Sequence, residues 1–376
     1  MFEHSWPNLE KLQISSTNAT GLILSSNAPQ LVSFSASGCS IQGSLVPFLL
    51  YHLSRLHYLD LSDNNITSNL SLISNLKNLK FLDLSYNNFQ GPIPNSISEI
   101  LPLRRLVFQS NNITGTLPSC ITTLKKLVEF RVSKNSIGGN VSLISLINEL
   151  NLTTLDLTSN RLTINRDESL HLYAKAKLET LALGSVHLNV FPNFIYNLTH
   201  LKYLILSDTN LKGAIPSCIS KLQNLVSLDL SNNKIIGPLP LPPQGVYDLN
   251  SSHNKLSGEI SLEAGERLSS AKYINLSGNQ LSGSIPSSIC SQELRKYYDP
   301  NLINLSNNKL SGNIPTSIGY CRSLTVLNLS NNNLTGNIPN EIQRAEGLEY
   351  LQLSYNNLNG TFPKPIDKFC TCEVST

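Results

Sequence analysis

Two carboxylates occupy matching places in the sequence and come nearest to a catalytic arrangement. Asp60 and Asp83 lie in the segments "YLDLSDNN" and "FLDLSYNN". If these segments form neighbouring strands, the two carboxylates repel each other, which raises one pKa as a general acid requires. The same Leu-Asp-Leu spelling recurs singly at Asp156 and Asp229, so it also fits a structural habit of the chain. We therefore predict that the pair is structural and not catalytic.

Other catalytic and metal-binding patterns are missing from the sequence. The seven histidines show no spacing that would gather metal ligands; they are His4, His52, His57, His171, His187, His200 and His253. No nucleophile elbow, phosphate-binding loop or protein-kinase signature occurs. The sequence predicts a protein that is not an enzyme and that binds neither a metal nor a cofactor.

Composition excludes several other classes of protein. Charged residues make up 14% of the 376 residues, and the net charge of +3 is too small to indicate nucleic acid or an anionic membrane as a partner. The sequence contains no run of about 20 apolar residues, so it predicts no membrane-spanning helix. The first residues, "MFEHSWPNLEKL", do not resemble a secretory leader.

A repeat dominates the chain, with the pattern L-x-x-L-x-L-x-x-N. Its 15 units are mostly 22 to 26 residues apart and begin at Leu9, Leu31, Leu56, Leu79, Leu103, Leu127, Leu152, Leu178, Leu201, Leu225, Val246, Ala271, Pro300, Leu324 and Leu348. This period and spelling are those of the leucine-rich repeat, in which each unit supplies one short strand and a returning segment. Residues at the fourth and sixth places point inward because side chains alternate across a strand. Stacked units then share one continuous core.

Asparagine occupies the ninth place of most units. We predict that its amide turns inward and satisfies backbone groups of its own and the adjoining turn. Cys39 takes the same place, a substitution that the repeat pattern permits; Thr17 and Thr209 can bond partly, whereas Val186 cannot bond. The predicted column, called the Asn ladder, comprises Asn64, Asn87, Asn111, Asn135, Asn160, Asn233, Asn254, Asn279, Asn308, Asn332 and Asn356.

Glycine and proline mark the returning segment. Gly91, Gly115, Gly213 and Gly336 stand at the thirteenth place of their units, and a proline follows three residues later in eight units. Glycine permits a backbone conformation that other residues resist, and proline fixes the turn. The apolar residues that follow are spaced for a short helix or 3₁₀ turn on the convex side.

The G-x-[IL]-P extension after L-x-x-L-x-L-S-x-N-x-[LI] resembles the plant-type leucine-rich repeat of receptor-like proteins and receptor-like kinases. The resemblance extends from about Leu9 to Pro363. It implies an α/β repeat fold, a right-handed solenoid with a parallel concave β-sheet and short 3₁₀ or helical convex segments. It also implies an extracellular (apoplastic) or plasma-membrane protein whose ectodomain lies outside, binding a peptide, a glycan such as a cell-wall fragment, or a protein, with a co-receptor kinase near the C-terminal end.

The chain departs from this family at both ends. It begins within a repeat and ends "DKFCTCEVST", without the cysteine-bearing caps, membrane helix or kinase of such receptors. We expect residues 1–8 to be a partial segment, 9–369 the solenoid and 370–376 a tail. The chain is then part of a receptor ectodomain or a truncated product, and any membrane attachment lies in segments missing from it.

Sequons and cysteines bear on the compartment, although a repeat rich in Asn and Ser generates sequons by its own spelling. Four sequons, at Asn250, Asn275, Asn304 and Asn328, take the outward place in the middle of consecutive strands, where glycans would cover the concave face. The glycosylation candidates are Asn18, Asn65, Asn69, Asn112, Asn140, Asn151, Asn197, Asn333 and Asn359.

The seven cysteines leave at least one thiol unpaired within the chain. Cys290 and Cys321 lie on neighbouring coils, where a disulfide is possible. Cys120 and Cys218 are four units apart, beyond disulfide reach, and Cys370 and Cys372 are expected to face no partner.

The outward strand places of repeats three to six form the preferred ligand zone, because Tyr, Phe and Arg anchor interfaces. A structural reading stays open, in which Phe81 with Arg105, Arg105 with Glu129, and Arg131 with Asp156 stabilise only the sheet. The candidate ligand-binding residues are Tyr58, Lys80, Phe81, Arg104, Arg105, Glu129, Arg131, Lys134 and Tyr203. A second aromatic group, a candidate co-receptor contact, comprises Tyr273, Tyr350 and Tyr355.

Three functions remain open at this point. The first is the ligand-binding part of a plant receptor-like protein in defence or developmental signalling. The second is a soluble inhibitor of a cell-wall hydrolase of the polygalacturonase-inhibitor type, although related inhibitors have fewer repeats. The third is a truncated product without independent function.

Overall fold

The structure is a computed structural model that describes residues 6–18, 28–44, 53–165, 176–290, 299–361 and 363. The predicted tail 370–376, with Cys370 and Cys372, lies outside these residues, as do His4, His52, His171 and most of the predicted segment 1–8. The chain divides into two compact units, Met1–His187 and Leu188–Thr376, called unit 1 and unit 2.

Short parallel strands recur once in every repeat, and the described residues contain fifteen of them. Each occupies the third to fifth places of its repeat, so the strand number is also the repeat number. Unit 1 contains β1 (Lys11–Gln13), β2 (Ser33–Ser35), β3 (Tyr58–Asp60), β4 (Phe81–Asp83), β5 (Arg105–Val107), β6 (Glu129–Arg131), β7 (Thr154–Asp156) and β8 (Thr180–Ala182). Unit 2 contains β9 (Tyr203–Ile205), β10 (Ser227–Asp229), β11 (Asp248–Asn250), β12 (Tyr273–Asn275), β13 (Leu302–Asn304), β14 (Val326–Asn328) and β15 (Tyr350–Gln352).

Side chains alternate along each strand as the repeat requires. In β4, Leu82 is fully buried while Phe81 and Asp83 on either side are half-buried and face solvent. Neighbouring strands within each unit pair in register, so that third place lies opposite third place and fifth opposite fifth. The predicted leucine-rich-repeat solenoid with its large parallel sheet is therefore confirmed, and the solvent side of these strands is called the strand face.

Outer strands follow the ninth place of most repeats and form small parallel sheets. In unit 1 they are Gln42–Gly43, Asn65–Ile66, Gln90–Pro92, Asn112–Thr114, Gly138–Val141 and Arg161–Ile164. In unit 2 they are Lys212–Gly213, Lys234–Gly237, Lys255–Glu259, Gln280–Ser282, Ser311–Asn313, Asn333–Asn337 and Asn357–Asn359. Glycine is required here: Gly115 has φ +76°, and a Cβ on it would meet Pro92 Cβ at 2.9 Å.

Within the described residues, the returning segments are 3₁₀ turns and two short helices. The helices are α1 (Leu143–Glu149) and α2 (Leu262–Leu268), each capped by a serine side chain, Ser142 or Ser261. A proline precedes most of the 3₁₀ turns, and each turn that follows a proline buries an isoleucine. In the turn Asn95–Glu99 these residues are Pro94 and Ile97. The turns are Ile73–Asn75, Asn95–Glu99, Ser119–Thr123, Asn193–Asn197, Ser217–Lys221, Ser287–Cys290, Thr316–Tyr320 and Asn340–Arg344.

The Asn ladder joins each coil to the preceding one. Asn279 Nδ2 donates to Ser251 O of the preceding coil at 2.9 Å and to Leu276 O and Ser277 O of its own turn at 3.0 and 3.2 Å. Its Oδ1 accepts from Leu256 N at 2.9 Å. The amide thus satisfies backbone groups that the bend removes from water.

Substituted ladder places behave according to their chemistry. Thr209 Oγ1 donates to Leu206 O at 2.8 Å, and Cys39 Sγ donates to Ile14 O at 3.0 Å. Val186 is buried and supplies no such group. The division between unit 1 and unit 2 falls in this same repeat.

A disulfide joins two neighbouring coils of unit 2. Cys290 and Cys321 are bonded, with their Cα atoms 5.2 Å apart. Of the other described cysteines, Cys39 is buried, and Cys39, Cys120 and Cys218 are all unpaired. The sequence had left this pairing open.

Replacing Asn279 tests the stabilising role of the ladder. We expect Asn279→Leu to lower the free energy of unfolding by roughly 2–4 kcal/mol, because it leaves buried carbonyls without a donor. Asn279→Thr should cost less, since Thr209 shows that a hydroxyl replaces part of the bonding. Urea unfolding followed by circular dichroism measures both, with exposed Gln280→Leu as the control. Equal losses for Leu and Thr would contradict the ladder's role.

Candidate ligand-binding surface

Five residues of β3 to β6 form a continuous group on the strand face of unit 1. They are called the unit 1 patch: Tyr58, Phe81, Arg105, Glu129 and Arg131. The first four stand at third places, directly opposite one another in the strand register, and Arg131 stands at the fifth place of β6. The parallel register brings together residues that are 23 to 26 positions apart along the chain.

Aromatic rings begin the patch. The rings of Tyr58 and Phe81 are stacked, with centroids 4.2 Å apart and planes 12° apart. The guanidinium carbon of Arg105 lies 4.6 Å from the centroid of the Phe81 ring, a cation–π contact. The rings and the guanidinium hold one another in place, so little side-chain entropy remains to be lost on binding.

A single carboxylate orients two arginines. Glu129 Oε2 lies 2.5 Å from Arg105 Nε, and Glu129 Oε1 lies 2.6 Å from Arg131 Nε. The side chain of Glu129 is 16% exposed, while those of Arg105 and Arg131 are 46% and 35% exposed. Because each pair uses Nε, the terminal nitrogens of both guanidiniums remain for hydrogen bonds with a bidentate anion.

The remaining predicted ligand residues surround this patch or lie elsewhere. Lys80, Arg104 and Lys134 are exposed in unit 1 and add positive charge beside β4 to β6. Tyr203 belongs to β9 of unit 2, where it is 45% exposed. Arg131 lies opposite Asp156 in the strand register, but its Nε donates to Glu129, and no ion pair between Arg131 and Asp156 is present among the described residues.

The carboxylates of Asp60 and Asp83 lie at opposite places of β3 and β4 in the strand register. Burial raises the pKa of Asp83; hydrogen bonds from Ser85 oppose this rise, and the charge of Asp60 adds to it. Burial, followed by the charges of Asp60 and Asp83, also raises the pKa of the Tyr58 hydroxyl.

The fifth-place aspartates have a structural role in the turn that follows the strand. Asp83 Oδ1 accepts from Ser85 N at 2.9 Å and from Ser85 Oγ at 2.5 Å. Asp229 makes the same two bonds to Ser231. The recurrence of the arrangement accounts for the Leu-Asp-Leu-Ser spelling without catalysis.

Tyr86 is an exposed aromatic residue that reading the third places alone missed. It stands at the eighth place of repeat four, is 50% exposed and has φ 53°. The backbone is left-handed at this place in most repeats, and smaller residues such as Asp63 and Ser110 occupy it at neighbouring repeats. A tyrosine is costly in that conformation, and reading the eighth places in order would have singled it out.

The second aromatic group divides between two surfaces of unit 2. Tyr273 and Tyr350 stand at third places of β12 and β15, 41% and 39% exposed. Tyr355 stands at the eighth place of repeat fifteen, 77% exposed, with φ 56°. Tyr273 also contacts Tyr247 edge to face, with ring centroids 6.0 Å apart.

Sequon exposure differs between the two sets. The nine glycosylation candidates are all exposed, as a site that carries a bulky glycan requires. The four strand-face sequons, Asn250, Asn275, Asn304 and Asn328, are only half-buried and bonded to their own serines. Occupancy itself stays a prediction.

The described part of the chain contains no cluster of three or more His, Cys, Asp or Glu side chains that could hold a metal ion. In the same residues, no helix has the length and apolar character needed to cross a bilayer.

Comparison with known families gives matches along much of the chain. Models described as "Leucine rich repeat" match residues 176–235 and 301–358, and 102–124 and 270–292; "Leucine Rich repeats (2 copies)" matches 54–98. Together these stretches cover more than half of the chain. The chain belongs to the leucine-rich-repeat family. Within it, the repeats are of the plant receptor-like ectodomain type, as the following similarities support.

Among curated proteins, Receptor like protein 22 of Arabidopsis thaliana is 35% identical over 148 residues, which are 38% of this chain and 18% of that protein. Among solved structures, a TDR receptor superposes with a TM-score of 0.84 at 28% identity, covering 95% of this chain and 61% of that one. The Arabidopsis receptor kinase HAESA, in complex with the peptide hormone IDA and the co-receptor SERK1, gives 0.69 at 28% identity, covering 95% and 68%. The chain spans less than a third of the length of the curated relatives it matches.

Replacing Asp83 by Asn tests the electrostatics of this leucine-rich-repeat face. Because its pKa is raised in the folded state, the ionised Asp83 destabilises unit 1 at neutral pH. Asp83→Asn should therefore raise the melting temperature at pH 7. This gain should shrink as the pH falls through the raised pKa, and it should vanish below the ordinary value of 3.8.

Thermal melts between pH 3 and pH 7 check this expectation. Asp156→Asn is the matched control, because Asp156 holds the same fifth place of its strand but has Arg131, and not a carboxylate, opposite it in the register. A gain for the control equal to that for Asp83→Asn would contradict the explanation.

Proposed function

We propose that this chain is an extracellular recognition module of a plant receptor-like protein, in defence or developmental signalling. Its unit 1 patch binds a peptide or protein ligand that carries acidic groups. Carboxylates, sulfates and phosphates all match the planar donor set of a guanidinium. An aromatic or apolar ligand group next to the acidic one would contact the Tyr58–Phe81 stack.

One observation carries the proposal: Glu129 holds the Nε atoms of two arginines, one of which is stacked on Phe81. Lys80, Arg104 and Lys134 add cations beside the patch, while Asp60, Asp83 and Asp156 place carboxylates at fifth places of the same sheet. The guanidiniums of Arg105 and Arg131 are therefore the groups that attract an anionic ligand. Hydrogen bonds to the oriented guanidiniums fix its position.

The proposed mechanism is binding without chemistry. The solenoid positions the patch in unit 1, and a co-receptor kinase contacts the separate aromatic group of unit 2, Tyr273, Tyr350 and Tyr355. The relatives that support this include HAESA, solved with a peptide hormone and a co-receptor. The Cys290–Cys321 disulfide supports the extracellular location, because disulfides persist in oxidising compartments.

Charge reversal in the patch tests ligand binding. The full chain, secreted from plant cells, is immobilised and exposed to peptides from the wall-space fluid, and retained peptides are identified by mass spectrometry. The double variant Arg105→Glu, Arg131→Glu should reduce the capture of acidic peptides by about tenfold or more. A hydrogen bond between a guanidinium and a ligand anion contributes roughly 1.5–3 kcal/mol to binding, and the variant removes two guanidiniums.

Arg161→Glu is the control for this experiment. It makes the same charge change in unit 1 on an exposed outer strand, away from the strand face. Undiminished capture by the double variant, or an equal loss in the control, would remove the patch from consideration.

Tyr355 tests the co-receptor contact. Tyr355→Asn keeps the left-handed turn, because Asn307 and Asn331 occupy the same place in neighbouring repeats. We expect it to weaken association with a SERK1 ectodomain by about tenfold, as for an exposed aromatic anchor, while peptide capture is unchanged. Surface plasmon resonance with ligand present measures the association, and Tyr196→Ser, at an exposed turn, is the control. Unchanged association would assign the contact elsewhere.

A further inference from the structure

The strand face of unit 2 carries a row of primary amides on four consecutive strands. They are Asn250, Asn275, Asn304 and Asn328, at the fifth places of β11 to β14, and each lies directly opposite the next in the strand register. We call this row the amide strip. Neighbouring amides are about 4.8 Å apart, the spacing between strands.

The orientation of each amide in the strip is fixed. Asn275 Oδ1 accepts from Ser277 N at 3.2 Å and from Ser277 Oγ at 2.8 Å. A backbone N–H can only donate, so the atom facing it must be the oxygen. The same two bonds recur at the other three positions. Each Nδ2 therefore points away from the turn.

The four Nδ2 groups are left available to a ligand. No hydrogen bond from these nitrogens to another described residue is present, and all four side chains are only half-buried. The four amides thus present eight N–H donors on the strand face, and these amides do not have to reorient when a ligand binds. In the ladder, by contrast, Asn279 Nδ2 is committed to three carbonyls.

An apolar row runs beside the strip. The third places of β12 to β15 are Tyr273, Leu302, Val326 and Tyr350, again in register. In repeats eleven to fourteen the fifth place is always Asn and the seventh place is always Ser, so no charged group lies within the strip. Asp248, at the third place of β11, marks one end of the apolar row.

We propose that the amide strip binds a neutral, linear polysaccharide lying across the strands. One sugar of a β-1,4-linked pyranose chain is about as long as the spacing between strands. Successive sugars are turned over, so successive amides meet alternating edges of the chain, each of which carries oxygen acceptors. Ring, glycosidic and hydroxyl oxygens accept from the Nδ2 groups, while the apolar ring faces pack on Tyr273 and Tyr350. The strip is separate from the unit 1 patch and does not depend on it.

A peptide fits the strip less well. Carbonyls on one side of an extended peptide recur at roughly 6.8 Å, out of step with strands about 4.8 Å apart. An anionic polymer would meet no cation in the strip. The amide strip therefore favours a ligand that is linear, neutral and rich in hydrogen-bond acceptors.

Sequon occupancy is the first test, because each strip asparagine begins an Asn-x-Ser sequon. The full chain secreted by plant cells is mapped by glycopeptide mass spectrometry. We expect Asn275 and Asn304 to be bare, while glycans occur among the nine exposed sequons. Occupied Asn275 or Asn304 would overturn the proposal, since a glycan there covers the strip.

Calorimetry with β-1,4-linked oligomers of glucose, xylose and mannose, from dimers up to hexamers, is the second test. At least one should bind, and affinity should rise with chain length and level off near four or five sugars, the number of strands spanned. Asn275→Val with Asn304→Val should weaken binding by about tenfold or more through the lost donors. Val107 and Ile205 show that the fifth place accepts aliphatic residues.

Two further variants keep the result interpretable. Asn275→Asp with Asn304→Asp retains the serine bonds, as at Asp83, but lacks the donors, and it should also weaken binding. Gln280→Val removes an exposed amide of the same repeat from an outer strand and should change nothing. No binding of any neutral hexamer, equal binding by the strip variants, or preference for a galacturonate hexamer would overturn the proposal. None of these results bears on peptide capture by the unit 1 patch.

Discussion

The rest of the structure depends on one recurring interaction, the inward asparagine amide that bonds the backbone of its own and the preceding coil. A coil this tight turns carbonyl and N–H groups away from water at every bend, and unpaired groups there would cost more than the neighbouring leucines gain. Asn279 satisfies three carbonyls and one N–H with a single side chain. Because the amide joins two coils, it also fixes the spacing at which strands stack.

That spacing gives the strand face its properties. With the fourth and sixth places buried and the register in phase, every third and fifth place falls in line with the same place of its neighbours. Side chains at equivalent places therefore form rows across the strands. In unit 1 the third-place row gives stacked aromatics, Arg105 and Glu129, and the fifth place of β6 adds Arg131. In unit 2 the fifth-place row gives a run of identical amides. One scaffold thus carries two surfaces of different character, one charged and one neutral.

The turn after the strand also explains why both aspartate and asparagine occur at the fifth place. Both offer an Oδ1 that accepts from the serine two residues later, as at Asp83 and Asn275. The turn tolerates either residue, so the choice between them sets the charge of the strand face without changing the fold. At Asp83 the carboxylate is partly buried and faces Asp60, which raises its pKa. At Asn275 the amide avoids that cost and presents a donor.

The sequence by itself determined the repeat, the buried leucines, the Asn ladder and the strand positions, because these follow from a period that each unit must satisfy locally. It also identified Tyr58, Phe81, Arg105 and Glu129 as outward neighbours. The tertiary structure decided among the partners that the sequence left open: Arg105 contacts Phe81 and Glu129, whereas Arg131 pairs with Glu129 and not with Asp156. Glu129 bonds two arginines, Cys290 bonds Cys321, and the amides of β11 to β14 all turn the same way. Side-chain directions and cross-strand distances arise from how coils stack, and no single repeat contains that information.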